Sequence, residues 1–277
     1  MKLTVLVDNN TIIDRYFLGE PAVSYYIECE GKKYLFDTGY SNILLTNANK
    51  MGIDLLALDT ILISHGHNDH TWGLNELVRL YTESIFEGRS LKIPTIIAHP
   101  DAFLEKRESG LIIGSMLTAR QLQSTFPLNL SRKPVMLSDK LIFLGEIERS
   151  NLFEAKKSIG ETLQNGMWQE DFVLDDSALV YKSDQGLVII TGCSHSGICN
   201  IIEYAKKVCN EERICDIIGG FHLLNPSHQQ LSNTCEYLKR NRICTIHACH
   251  CTDMQSKIKL AQVVNIKEVG VGLVVEY

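Results

Sequence analysis

The chain has 277 residues, of which 45% are hydrophobic and 22% are charged, with a formal net charge of −6 and an isoelectric point near 5.9. This composition is ordinary for a globular protein, and the chain is long enough to bury a substantial core without disulfide bridges. No run of Lys and Arg marks an extended nucleic-acid interface, and no stretch approaches the roughly 18 apolar residues of a membrane span.

The N-terminal sequence MKLTVLVDNN does not have the pattern of a signal peptide, because its apolar run is short and polar residues follow at once. The chain has nine cysteines, an odd number, and eight of them come after residue 192. Both features speak against a disulfide framework. We therefore expect a cytoplasmic protein with reduced thiols and no membrane association.

The first hundred residues alternate between predicted strands and helices. A helix with Ser41 as N-cap is expected to end near Gly52, and Leu74–Tyr81 has the apolar period of a second helix. Apolar runs predict strands at Lys2–Val7, Val23–Cys29, Lys33–Phe36, Thr60–Ile63 and Thr95–Ala98.

The segment from about Asp101 to Asp176 is irregular, with charged stretches, scattered Gly and isolated apolar runs. We interpret it as an insertion or cap within one domain that covers residues 1–277. Long irregular insertions beside active sites often act as lids, so we expect this segment to lie over the site.

From Ser177 onward the alternation resumes. Helices are predicted at about Ile198–Val208, at Ser227–Lys239 and after Asp253. Strands are predicted at Ala178–Tyr181, Leu187–Thr191, Cys215–Ile218, Ile243–Ile246 and Glu268–Val275. The order of elements predicts an α/β fold in which two β-rich layers are covered by helices on both outer faces.

Metal-ligand residue types are concentrated directly after the predicted strand Thr60–Ile63, in the segment Ser64–His70 with the sequence SHGHNDH. On an extended chain His65 and His67 point the same way, because side chains alternate with period two. Asp69 and His70 follow where the loop turns into a helix. Imidazole and carboxylate together suit Zn, Mn or Fe better than Ca or Mg.

The same arrangement recurs three times downstream, since predicted strands end in small-residue turns that carry His195, His222 and the pair His247 and His250. One histidine after a strand is more often an ordinary polar residue than a ligand. Several with one placement predict convergence on a shared site.

These motifs resemble the metallo-β-lactamase superfamily, whose H-x-H-x-D-H motif reads HGHNDH here. The likeness is greater to the subgroup of 7,8-dihydropterin-6-yl-methyl-4-(β-D-ribofuranosyl)aminobenzene-5′-phosphate synthase-like proteins. The segments that carry it are VLVDN, LFDTG, ILISHGHNDHTWGL, TGCSHSGICNII, GGFHL and HCTD, in this order along the chain. The resemblance implies a four-layer αβ/βα sandwich in one domain.

The resemblance also implies two divalent metal ions, with Zn as the first choice and Mn or Fe as alternatives. One ion would be held by His65, His67 and His195, and the second by Asp69, His70 and His250. Superfamily sites usually add a bridging Asp or Cys, whereas the matching segment here, GGFHL, has His222 and no carboxylate.

The remaining candidates are assigned as follows. Asp37 is expected to orient a ligating histidine from behind, although it could also simply form the turn before Gly39. His222 is expected to bind substrate or donate a proton, with metal ligation as the alternative.

His247 competes with His250 for the ligand role, and the HCT pattern favours His250. Cys249 and Cys251 could be soft ligands, but on an extended chain they are expected to point away from the target of His250. Cys193 is likewise interpreted as a packing residue, and His99 and His228 as structural.

The function implied is a metal-dependent hydrolase in which a metal-activated hydroxide attacks a small phosphate-bearing substrate, with phosphodiesterase activity expected first and β-lactams within reach. Asp69 would orient the hydroxide. Three alternatives stay open: a synthase-type condensation, a di-iron oxidoreductase and a non-catalytic metal-binding protein. The oligomeric state is left open as well.

Overall fold

A computed structural model describes all residues 1–277. Its strands, in chain order, are β1 (Lys2–Val7), β2 (Ser24–Cys29), β3 (Lys32–Phe36), β4 (Thr60–Leu62), β5 (Thr95–Ala98), β6 (Lys106–Glu108), β7 (Leu111–Ile112), β8 (Leu128–Leu130), β9 (Val135–Met136), β10 (Leu141–Phe143), β11 (Glu161–Gln164), β12 (Met167–Glu170), β13 (Ala178–Ser183), β14 (Gly186–Thr191), β15 (Ile214–Gly220), β16 (Thr245–Cys249), β17 (Asn265–Ile266) and β18 (Val274–Glu276). The α-helices are α1 (Ile43–Lys50), α2 (Asn68–Thr71), α3 (Leu74–Phe86), α4 (Ala119–Leu122), α5 (Ile198–Cys209), α6 (His228–Arg240) and α7 (Met254–Leu260). Short 3₁₀ helices lie at Leu55–Ala57 and Pro100–Phe103.

The strands form two large sheets and one small one. The first large sheet has the order β18-β1-β2-β3-β4-β5-β8, and the second has the order β17-β16-β15-β14-β13-β10-β9. In the first sheet β3, β4, β5 and β8 run parallel, and in the second β14, β15, β16 and β17 do. Parallel neighbours end at the same edge of a sheet, so each sheet presents several loops side by side.

The core is divided into three layers of contact. One apolar cluster lies between the two large sheets and includes Tyr25 from the first and Ile190 from the second. A second cluster joins the outer face of the first sheet to α1 and α3, and a third joins the outer face of the second sheet to α5, α6 and α7. The fold is therefore a four-layer αβ/βα sandwich, as the sequence predicts.

The strand β14 shows how the sequence produces these layers. All six of its residues are buried. Val188 and Ile190 belong to the cluster between the sheets, whereas Leu187 and Ile189 belong to the cluster under the helices. Side chains alternate along a strand, so a continuous apolar run can cover both faces, and each such side chain stabilises the fold by roughly 1.5–3 kcal/mol.

The second half of the chain departs from the sequence predictions at two strands. The strand expected at Ile243–Ile246 runs from Thr245 to Cys249, which places His247 inside the sheet. The strand expected at Glu268–Val275 is confined to Val274–Glu276, because the chain turns over residues 270–273 with a Leu273 N–H to Gly270 carbonyl bond of 3.0 Å.

Two helices of the first half also differ in their bounds. The helix expected at Leu74–Tyr81 continues to Phe86. Ser41 is not the N-cap of α1, which is Asn42. The Ser41 hydroxyl lies one residue outside the helix, where it donates to the Glu20 carboxylate at 2.6 Å and accepts the Ile43 N–H at 3.2 Å.

The irregular segment 101–176 is shared between the three sheets. It supplies β8 to the first large sheet and β9 and β10 to the second. Its remaining strands form the small sheet, with the order β12-β11-β6-β7.

The longest helices of the protein, α3 and α6, have 13 residues, and no helix has the length and apolar character needed to cross a bilayer.

Candidate metal centre

The site forms where loops from the facing edges of the two large sheets meet. The loop after β4 carries the segment Ser64–His70, and the loop after β14 carries Cys193 and His195. β15, which pairs with β14, and β16, which pairs with β15, end next to His222 and His250. All four histidine-bearing loops therefore leave strands at neighbouring positions, in agreement with the general placement of ligand sites at the carboxyl ends of parallel strands.

The segment Ser64–His70 is held tightly against its surroundings. A side chain at Gly66 would come within 2.0 Å of the Ala102 carbonyl oxygen, so only glycine fits there. The Gly66 N–H donates to Asp175 at 2.7 Å, and His67 pairs with Gly114 in an isolated β-bridge. These contacts fix the backbone from which the ligand-type side chains project.

Asp37 links two of the histidines. It accepts hydrogen bonds from the backbone N–H and the hydroxyl of Ser64, both at 2.7 Å, and its Oδ2 lies 2.7 Å from Nδ1 of His70. The Ser64 hydroxyl lies 2.9 Å from Nδ1 of His65. Both rings are thus held through Nδ1, which leaves Nε2 to face the site. Asp37 has the contact that the sequence analysis expects of it, and Ser64 is a residue to which sequence reasoning gave no role.

Three histidines, His65, His67 and His195, form what we call the trihistidine cluster. One ring nitrogen from each lies within 4.8 Å of the others, and all three side chains are buried. His65 Nε2 lies 3.1 Å from His67 Nδ1. His67 Nε2 and both ring nitrogens of His195 are buried without a hydrogen-bond partner. Buried nitrogens without partners are costly, so a cation is the group that fits this cluster.

A second group, the mixed cluster, consists of Asp69, His70, Cys193 and His250, whose candidate ligand atoms also lie within 4.8 Å of one another. His70 Nε2 is 3.2 Å from the Cys193 sulfur, and His250 Nε2 is 3.2 Å from Asp69 Oδ2. Cys193, interpreted from sequence as a packing residue, is therefore among the ligand-type groups. From sequence, Cys193 shares with Cys249 and Cys251 a position in a histidine-bearing turn after a predicted strand, which sets these three apart from the other cysteines but not from one another.

His250 is oriented by residues from the end of β1. Its backbone N–H donates to Asp8 at 3.1 Å, and its Nδ1 lies 3.2 Å from the side-chain oxygen of Asn9. These contacts leave Nε2 to face Asp69. The VLVDN segment that carries part of the family resemblance thus supports a ligand-type histidine, a role that the sequence analysis did not assign.

His222 lies between the two clusters. Together with Cys193 and His195 it forms a third group of candidate ligand atoms within 4.8 Å, and its ring centroid is 4.2 Å from that of His195. Its Nδ1 is buried without a partner. This placement is compatible with each of the roles that the sequence analysis left open.

The other histidines have partners elsewhere. His247 points from β16 to Asp216, whose carboxylate is 3.0 Å from its Nδ1, so it lies outside both clusters. His99 contacts Glu146 at 3.1 Å, and His228 is the exposed first residue of α6. Of the two candidates His247 and His250, the structure brings only His250 to the site.

The two clusters have opposite electrostatic character. Burial lowers the pKa of His67 to about 4 and holds the pKa values of His65 and His195 well below the usual range. Burial alone would lower the pKa of His70 too, but the carboxylates of Asp69 and Asp37 raise it to about 9. His70 and the nearby His250 in turn outweigh the effect of burial on Asp69 and hold its pKa well below the usual range.

A cavity of about 410 Å³ opens beside the site, with His195 and His222 in its wall. Phe172 and other apolar side chains line one part of it, and Lys156 and Lys157 line another. These three residues belong to the segment 101–176, which therefore borders the site. The N-terminal turn of α6 also lines the cavity, and the N-terminal end of a helix dipole favours anions.

Comparison with known proteins agrees with this geometry. Residues 18–110 match the family model of the metallo-beta-lactamase superfamily. An uncharacterised protein of Methanocaldococcus jannaschii is 31% identical over 274 residues, which make up 99% of this chain and 99% of the relative. The 7,8-dihydropterin-6-methyl-4-(beta-D-ribofuranosyl)-aminobenzene-5′-phosphate synthase of the same organism is 30% identical over 271 residues, 93% of this chain and 89% of the relative.

Among solved structures, that of Tm1679, described as a metal-dependent hydrolase of the beta-lactamase superfamily, is 28% identical with a TM-score of 0.84, and the match covers 100% of this chain and 99% of that one. The family match, the identity over nearly the full chain and the shared fold lead to one assignment. The chain belongs to the metallo-beta-lactamase superfamily.

Proposed function

We propose that the protein is a metal-dependent hydrolase that cleaves phosphoesters of a small molecule, with phosphodiesters as the first substrate class. The observation that carries the proposal is that His195 of the trihistidine cluster and His222 line the same cavity as Lys156 and Lys157. Two cationic side chains in the wall of a cavity that reaches a candidate metal centre suit a substrate with more than one negative charge. The name of the dihydropterin relative, which includes a phosphate, supports the same substrate class.

The donor atoms favour two zinc ions, with manganese or iron as alternatives. The trihistidine cluster would hold one ion, and Asp69, His70 and His250 of the mixed cluster would hold the second. Imidazole, carboxylate and thiol groups are ordinary zinc ligands, whereas Ca and Mg prefer oxygen alone. When bound, two such ions lower the pKa of a shared water toward about 7, from 15.7 for bulk water, and offset negative charge on the substrate.

The side chains of the protein supply orientation and proton handling. The Asp69 carboxylate, about a quarter exposed, accepts a hydrogen bond from the attacking water and fixes its direction. His222 has a ring nitrogen without a partner beside His195, from which it donates a hydrogen bond to a phosphoryl or leaving-group oxygen. Lys156 and Lys157 attract the remainder of an anionic substrate into the cavity.

The test combines metal analysis with turnover. Protein purified without added metal is assayed for bound Zn, Mn and Fe and for hydrolysis of bis(p-nitrophenyl)phosphate before and after chelation. We expect about two ions per chain, turnover that chelation removes, and recovery when the ion is restored. Turnover that survives complete removal of the ions would refute the proposal.

The dihydropterin relative favours a second function, a condensation of the synthase type, because that relative is named as a synthase. In this case the same activated electrophile is joined to an organic acceptor rather than to water. Mass spectrometry after incubation of a phosphate ester with an aromatic amine acceptor separates the two functions: a joined product indicates the synthase, and only hydrolysis products indicate the hydrolase. β-Lactams belong in the same substrate panel as a measure of breadth.

A further inference from the structure

The sulfur of Cys193 lies among ligand atoms rather than among apolar side chains. It is 3.2 Å from His70 Nε2, and it shares the 4.8 Å group with Asp69 and His250. It also belongs to the group with His195 and His222, so it is the residue that connects the mixed cluster to the trihistidine side. The residue itself is only 4% exposed.

The backbone around Cys193 is fixed from two sides. A side chain at Gly192 would come within 2.2 Å of the Ser64 hydroxyl oxygen, so the end of β14 is pressed against the loop that carries the histidine motif. On the other side Ser194 donates to the Gly220 carbonyl at 2.6 Å, and the Cys251 thiol donates to the carbonyl of Cys193 at 3.3 Å. The direction of the Cys193 side chain is therefore set by the fold.

The other buried thiols near the site have different surroundings. The Cys249 sulfur contacts the hydroxyl of Tyr25 at 3.3 Å in the core between the sheets. The Cys251 sulfur accepts the backbone N–H of His222 at 3.2 Å and donates to Cys193, and it belongs to none of the candidate ligand groups. Cys193 is thus the one thiol whose sulfur is placed with the ligand-type atoms.

We propose that the thiolate of Cys193 is a ligand of the second metal ion and takes the place of the carboxylate that this chain lacks in Gly219–Leu223. With Asp69, His70 and His250 it makes a four-donor set, and a water would be a fifth ligand, a coordination number that zinc in catalytic sites can reach. On binding, the S–H bond breaks, a sulfur–metal bond forms and the proton passes to solvent. The inference rests on the metal-binding part of the proposed function and does not depend on the substrate.

A thiolate ligand has a consequence for metal selectivity. Thiolate is a soft donor that favours Zn, Co and Fe over Mn, whereas a carboxylate in the same place is a hard donor. The second ion of the wild-type protein is therefore Zn or Fe in preference to Mn. Replacement of the sulfur by a carboxylate in Cys193→Asp moves this preference toward Mn.

Cobalt titration of the metal-free full-length chain tests the ligand directly. We expect a sulfur-to-cobalt charge-transfer band in the near ultraviolet in the wild-type protein and in Cys251→Ser, and its loss in Cys193→Ser. Affinity for the second ion in Cys193→Ser falls at least ~10–100-fold, the loss that follows even removal of a group behind a metal ligand. A band that survives in Cys193→Ser, or is absent from the wild type, overturns the proposal.

The Cys193→Asp variant keeps the test informative where Cys193→Ser fails to fold, which circular dichroism detects. It is expected to bind two ions, to show no charge-transfer band and to prefer Mn more than the wild type does in competition with Zn. An unchanged preference between Zn and Mn contradicts the assignment. Since these readouts need no substrate, a protein that shows the band but no phosphodiesterase activity refutes the proposed function and leaves the Cys193 ligand in place.

Discussion

The trihistidine and mixed clusters share the loops after β4 and β14, and the mixed cluster also uses the loop after β16. The trihistidine cluster uses one kind of donor, and its rings are buried and neutral. The mixed cluster contains a carboxylate and a thiol and has a second carboxylate, Asp37, directly behind His70. A cation in the trihistidine cluster would be stabilised only by the lone pairs of neutral imidazoles. A cation in the mixed cluster would also be stabilised by the attraction of nearby negative charges. Two adjacent sites at the same edge of the sheets can therefore differ in charge, in pH response and in ion preference.

The strongest test of the comparison removes one ligand from each cluster. His67→Ala in the trihistidine cluster and Asp69→Ala or His250→Ala in the mixed cluster are each expected to lower kcat/KM for bis(p-nitrophenyl)phosphate by roughly 10²–10⁴-fold, because a metal contributes several kcal/mol and about 1.4 kcal/mol corresponds to tenfold. Metal content should fall only in the cluster that was changed.

The matched control for these variants is His228→Ala, which removes an exposed histidine that belongs to neither cluster. It should keep wild-type metal content and turnover. Wild-type turnover in any of the ligand variants after chelation and remetallation would show that the cluster concerned is not used.

His222 tests whether the group between the clusters acts on substrate or on metal. His222→Gln should lower kcat by about 10²-fold, the lower end of the range for a general acid or base, and should leave both ions bound. The measurement pairs steady-state kinetics with elemental analysis of the same sample. Loss of an ion together with kcat would make His222 a ligand instead.

A smaller effect is expected from the groups behind the ligands. Asp37→Ala removes the partner of His70 Nδ1, so affinity for the second ion should fall about 10–100-fold. Ser64→Ala removes the contact to His65 Nδ1, and it should act mainly on the first ion and by less, because a hydroxyl is a weaker partner than a carboxylate. Titration of each metal-free variant with Zn measures both. Equal losses at the two clusters would show that they are not separable in this way.

The smallest effect is expected from a change of pH, which alters the affinity of the two clusters for ions. In the metal-free protein His70 has a pKa of about 9, so its ring holds a proton at neutral pH and must lose it to bind an ion. As pH falls below about 9, protonation of His70 alone should weaken affinity for the second ion by about tenfold per pH unit, and the proton that a Cys193 thiolate ligand must lose would steepen this slope. The trihistidine cluster has no histidine proton to lose at neutral pH, since the pKa of His67 is about 4 and burial holds the pKa values of His65 and His195 well below the usual range.

Calorimetric titration between about pH 6 and 8, in buffers that differ in ionisation enthalpy, counts the protons released with each ion. Proton release should accompany binding of the second ion. Binding of the first ion should release no proton from the histidines of the trihistidine cluster. Equal proton release and equal pH slopes for both ions would remove the electrostatic difference between the clusters.

The layers and most of the site follow from sequence patterns. The apolar runs of strands such as β14, together with the helical period of Leu74–Tyr81, are sufficient for the four-layer fold, because burial on both faces of a strand leaves a continuous apolar signal. Histidines placed after strands predicted one meeting point, and the structure brings His65, His67, His195 and His250 together.

What sequence could not supply depends on backbone direction at single residues. The sequence left His247 and His250 in competition and favoured His250 by the HCT pattern, and the structure gives the reason, since β16 ends at Cys249 and contains His247. The place of Cys193 depends on contacts of its loop with Ser64 and Gly220, which come from distant parts of the chain. The period-two rule for side-chain direction does not extend through such turns.

Four residues of the site, Asp37, Ser194, His222 and His250, adopt positive φ angles between 49° and 63°. Non-glycine residues are uncommon there, and branched residues are nearly excluded by contact between their Cβ substituents and the backbone. The repertoire of residues that mutation can explore at these positions is accordingly narrow: Gly, Asn, Asp and His are favoured by the backbone, and Val, Ile and Thr carry a steric cost before any question of chemistry arises. New activities on this scaffold are therefore more accessible through the cavity wall than through these turns.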